Sequence, residues 1–139
     1  MQHETPQSVC RFGVARGDIT PPVGIYHRMW GAATHEKALG VHRPLVASVA
    51  IFQDVNDTAD DCRVLITLDH CLLGETEMEL LKSTIAEISG VKEAQVSITF
   101  THTHGAGLMS LDRANLPGGD RIAPYLREVA QRCGYLVVE

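Results

Sequence analysis

Two histidines stand one residue apart in Ile98-Thr99-Phe100-Thr101-His102-Thr103-His104, directly ahead of Gly105-Ala106-Gly107. Neutral imidazole nitrogens are good Zn²⁺ ligands. On an extended segment, side chains i and i+2 share a face. A strand that persists through His104 therefore aims both rings the same way and makes them one corner of a zinc site. The glycines that follow remove side-chain bulk and let a substrate approach. The plainer reading of the pair is a hydrogen-bonding role at a strand end. T-H-T-H also supplies only two ligands, short of the three protein ligands usual for catalytic zinc.

A second candidate is Leu68-Asp69-His70-Cys71, at the end of another apolar run. Sites in open α/β sheets lie at the carboxyl ends of strands. A carboxylate there can accept a hydrogen bond from a ligand histidine and fix its tautomer, and Asp69 is the candidate for that role. Its plainer reading is a solvated turn carboxylate. A Cys71–His70 nucleophile–base pair is poorly placed, since neighbours on extended backbone face opposite sides. The third candidate is His42, in Gly40-Val41-His42-Arg43-Pro44, just before a strand. Residues 25–41 have no steady period and hold His27, Arg28, His35 and the only tryptophan, Trp30. Irregular segments of that length are usually functional loops.

The elements that must position these residues follow from periodicity. A short strand over residues 9–14 ends at Gly17-Asp18, and Pro21, Pro22 and Gly24 exclude helix and central strand from the next stretch. Residues 45–55 alternate and are rich in Val and Ile, predicting a strand. Residues 56–61 form a polar turn, and residues 63–68 return as a hairpin partner. Apolar residues at Met78, Leu80, Leu81, Ile85 and Ile88 predict a helix over 75–89, closed by Gly90. Residues 96–100 form a further strand, and a glycine-rich loop over 105–119 leads to a helix from about Arg121. That helix places Ile122, Tyr125, Leu126, Val129, Cys133, Leu136 and Val137 on one face. The apolar stripe is still running at Glu139, so the sequence predicts a single partial domain, truncated at its C-terminus. The fold class is α/β: a mixed β-sheet with flanking helices.

Composition narrows the function. The chain has 139 residues, with 12 basic and 17 acidic side chains, a net charge of −5 and 45% hydrophobic residues. That is the make-up of a folded domain and not of a disordered one. The negative balance argues against nucleic acid as a partner, which demands basic stripes. No apolar run reaches the ~20 residues of a transmembrane segment. Met1-Gln2-His3-Glu4-Thr5-Pro6 carries neither a basic start nor an apolar signal region, which predicts a cytoplasmic location. Cys10, Cys62, Cys71 and Cys133 show no C-x-x-C spacing and read as small buried or half-buried thiols.

Four stretches, in order, resemble the neutral/alkaline non-lysosomal ceramidase family. Gly13-Val14-Ala15-Arg16-Gly17-Asp18-Ile19-Thr20-Pro21-Pro22 resembles its opening G-x-x-x-x-D-I-T-x-P motif. Gly40-Val41-His42 resembles its G-[IV]-H motif, and residues 63–69 its apolar strand ending in Asp. Thr101-His102-Thr103-His104 resembles its T-H-T-H signature. The resemblance implies the N-terminal portion of a larger ceramidase-like catalytic domain. It also implies a zinc-dependent hydrolase of acyl amides, with a small-molecule substrate that is a lipid, N-acyl sphingosine, in the ceramidases themselves. His102 then matches the first zinc ligand, His104 an active-site histidine able to ligate or move a proton, and His42 a pocket histidine. A further His, Glu and Tyr come from later in family members. The chain departs from the family at Gly105-Ala106-Gly107 and at Asp69-His70-Cys71, where substrate would sit. The alternative function is a non-catalytic remnant or binding domain of the same fold.

Overall fold

The computed structural model describes residues 9–56 and 62–139. Four strands form one sheet in the order β1-β2-β3-β4. They are β1 (Cys10–Asp18), β2 (Val46–Asp54), β3 (Cys62–Leu68) and β4 (Val96–Phe100). The first three are antiparallel neighbours, and β4 joins β3 in parallel. A parallel pair needs a long crossover, here supplied by helix α1 (Glu75–Ser89). Helix α2 (Ile122–Val138) follows β4. The mixed sheet with flanking helices is thus the fold expected. The turn expected at 56–61 falls, after Asn56, outside the described residues, as does the stretch before Val9.

Burial follows the two periods. In β3, Cys62, Val64, Ile66 and Leu68 are buried while Arg63 and Leu65 are exposed. Every residue of the stripe assigned to α2 is buried, along with Ala130 and Gly134. Leu81 and Ile85 of α1 complete that layer. Pro124 sits in the first turn of α2, where a missing N–H costs little. The left-handed Gly90 (φ 76°) ends α1, its N–H bonding the Ala86 carbonyl as a glycine stop should. Helices α1 and α2 touch closely enough that a Cβ on Gly134 would lie 2.8 Å from Ile88 Cβ. The opposite sheet face carries the exposed side chains of Phe12, Val14, Phe52 and Leu65.

The register decides where chemistry can sit. Asp18 pairs with Val46, Ala47 with Leu68, and Leu68 with Phe100. The carboxyl ends of β1, β3 and β4 and the start of β2 therefore share one edge of the sheet. The Thr20 loop, the His42 segment, Asp69-His70-Cys71 and T-H-T-H all attach there.

Candidate metal centre

The ladder between β3 and β4 closes with the Thr101 N–H donating to Leu68 O at 3.0 Å. There the strand stops, and the expected extension through His104 is corrected. His102 lies in the left-handed region (φ 60°), and His104 opens a short 3₁₀ turn, His104–Ala106. Thr103 caps that turn, its Oγ1 accepting the Gly105 N–H at 3.2 Å. Strand alternation is thus not what aligns the imidazoles. The reversal brings them together instead, with ring centroids 5.3 Å apart and planes at 53°. A left-handed non-glycine residue carries a local cost of order 1 kcal/mol and persists only where its surroundings hold it.

The β3 tip is fixed from two sides. Asp69 Oδ2 accepts the Val46 N–H at 3.0 Å, where the sequence reading assigned it a histidine N–H. His70 turns into the core and is fully buried. The Tyr125 hydroxyl donates to Ile19 O at 2.6 Å and stands 2.7 Å from His70 Nε2. Its single proton being committed, the hydroxyl accepts from Nε2–H, which sets the His70 tautomer and leaves Nδ1 bare. That nitrogen is buried with no partner among the described residues. Burial lowers the His70 pKa to about 4, against a smaller upward pull from Asp69. Burial also pushes the Tyr125 phenol above its usual range.

Cys71 comes next along the chain and faces His102. Its Sγ lies 3.7 Å from Nε2 and 3.9 Å from Nδ1 of that ring. One donor atom from each of Cys71, His102 and His104 falls within 4.8 Å of the others. Two imidazoles and a thiol suit zinc by ligand type. The exposed Trp30 ring stands edge-on to His104, 4.1 Å between centroids.

A cleft of about 520 Å³ opens beside this cluster, lined in part by Thr20, His27, His35, His42, Thr103 and Gly105. His42 thus shares a cavity with the residues flanking His104, though the cleft walls include neither His102 nor His104. His27 and His35 stack at 6.0 Å, and burial, with the charge of His35 adding, lowers the pKa of His27. The loop carrying them is held as a hairpin-like excursion by the Tyr26–Lys37 bridge. Gly107 (φ 74°) packs against it, where a Cβ would lie 3.0 Å from His27 O. Arg113 ties it down from the other side, donating to Arg28 O at 3.0 Å. Sequence reasoning did not pair Cys71 with His102 or Trp30 with His104. Both contacts depend on chain reversals that no local pattern announces.

This is a two-layer α/β unit with a Cys–His–His cluster at the carboxyl edge of its sheet. Among solved structures it is similar to neutral ceramidase from Pseudomonas aeruginosa, with a TM-score of 0.66 and 17% identity over 94% of this chain and 22% of that one. A ceramidase complexed with C2 gives the same TM-score at 20% identity, over 95% of this chain and 20% of that one. The likeness is one of fold, and the chain spans about a fifth of each structure's length. No protein-family model and no curated protein matches the sequence. Among the described residues, no helix is long and apolar enough to cross a membrane.

Proposed function

We propose that this chain is the N-terminal portion of a zinc-dependent hydrolase that cleaves acyl amides, of the kind that ceramidases open in N-acyl sphingosine. The observation that carries the reading is the convergence of His102 and His104 at the tip of β4, on a fold shared with ceramidase structures. His102 is the metal ligand, and His104 a ligand or the neighbour that moves a proton. A bound Zn²⁺ supplies Lewis acidity towards a carbonyl and a water of lowered pKa.

The chain's own residues supply the rest. Trp30 restrains the His104 ring by edge contact. His42, exposed on the cleft wall, is available for proton transfer to a leaving amine. Asp69 is a positioning residue, acting through the Val46 N–H on the β3 tip. Hydrolysis adds water across the amide and yields a carboxylic acid and an amine. In the protein that carries this chain, His102→Ala should empty the site of zinc by elemental analysis and abolish release of amine from an N-acyl substrate. Zinc content and turnover that both survive the substitution would sink the reading.

A further inference from the structure

We infer that Cys71 is itself a metal ligand, so that this chain holds its ion through a Cys–His–His set; the inference rests on the metal-site reading of His102 and His104 above. Bond lengths of about 2.3 Å to sulfur and about 2.05 Å to nitrogen, at a tetrahedral angle, put S and N ligand atoms about 3.6 Å apart. The Cys71 Sγ to His102 Nε2 distance is 3.7 Å. His104, half-buried, brings its donor within 4.8 Å of both. The sulfur is therefore already at ligand spacing.

The position of Cys71 is built rather than incidental. The two residues before it are each anchored, Asp69 to Val46 and His70 to Tyr125. The His70 N–H also bonds Leu68 O at 2.8 Å, a tight turn that breaks strand alternation. His70 is thereby committed to the core and unavailable to Cys71 as a base. The thiol is buried and meets the His102 ring. Sites of this kind are precise because the residues around the ligand hold it.

Loading a divalent ion would exchange the Cys71 S–H for an S–metal bond and release that one proton to solvent. A thiolate and two neutral imidazoles leave a net charge of +1 on the loaded site. Cys71 would add a thiolate to the two imidazoles of T-H-T-H, giving this chain three donors towards one ion. Thiolate also shifts selectivity towards softer ions than an imidazole–carboxylate set would take.

Cobalt(II) is the probe. The reduced 139-residue chain, titrated with Co²⁺, should develop the visible bands of a four-coordinate ion together with a near-ultraviolet sulfur-to-cobalt charge-transfer band. Cys71→Ser should remove the charge-transfer band and weaken binding at least about tenfold, while Cys10→Ser should change neither. Zinc should also protect Cys71 from alkylation in the unmutated chain, a readout that does not depend on any variant folding. Cobalt held through His102 with no charge-transfer band and no protection of Cys71 would overturn the thiolate and leave the histidine site standing. No His102-dependent cobalt binding would overturn the histidine site, and the thiolate with it.

Discussion

His70 shows how a residue flanked by candidate site residues can itself be structural. It lies between Asp69 and Cys71, both at the sheet's carboxyl edge, yet its ring is fully buried against Tyr125. Being held neutral, it makes stability depend on pH, and the sign follows from its lowered pKa. Above pH 6.5 neither folded nor unfolded chain carries the proton, so the stability is intact. As pH falls from 6.5 towards about 4, only the unfolded chain takes up a proton, and stability is lost across that window. At about 1.4 kcal/mol per pH unit the loss approaches about 3 kcal/mol. Urea denaturation between pH 7 and pH 4 should show it, and His70→Gln, which can still donate to the Tyr125 oxygen, should flatten the curve. An equally steep curve in the variant would assign the acid sensitivity to other groups. The bare Nδ1 adds to the cost of charging the ring: a proton there would find no acceptor among the described residues.

Elements were legible where their signals are local. Helix α1 runs over the residues its apolar spacing marks and stops at the glycine that marks its end. The α2 stripe is buried residue for residue, and β4 starts at Val96 as read. What the sequence did not disclose is what happens one residue beyond. Thr-His-Thr-His alternates with β-branched residues and reads as strand, but a strand lasts only while a neighbour's backbone continues beside it. β3 turns away at Asp69, so the ladder runs out and His102 reverses. The same non-local cause hid the Cys71–His102 contact, although His102, His104 and His42, each singled out in the sequence, lie at one edge. Helix contact offers a test at this scale. Glycine to alanine within a helix normally gains about 1 kcal/mol. At Gly134 the new Cβ would meet Ile88 Cβ at 2.8 Å, and overpacking costs about 1–3 kcal/mol. Gly134→Ala should therefore lower the urea midpoint, and Ile88→Ala in the same chain should recover part of what it loses, since contacting sites couple. A simple gain in stability from Gly134→Ala would show that α1 and α2 pack less tightly than described.

At the scale of the whole molecule, packing and chemistry are separated. The helices and their buried stripe cover one sheet face, while the cluster sits on the sheet's carboxyl edge, on turns that leave β3 and β4. Those turns are 31 residues apart in sequence at Cys71 and His102, with all of α1 between them. An ion bound across them adds a tie between two tips that the β3–β4 ladder holds side by side. Binding to the folded state only must then raise stability by mass action, about 2.7 kcal/mol when free zinc is a hundred times its dissociation constant. For a chain of this size each kcal/mol shifts the melting temperature by about 3 °C, so saturating zinc should raise it by about 8 °C, reversibly with a chelator. His102→Ala should melt at the same temperature with and without zinc. A zinc shift that survives His102→Ala would place the ion elsewhere, for instance on His27 and His35 across the cleft. The comparison thus tests whether the edge cluster, rather than any group of surface histidines, is where this fold takes a metal.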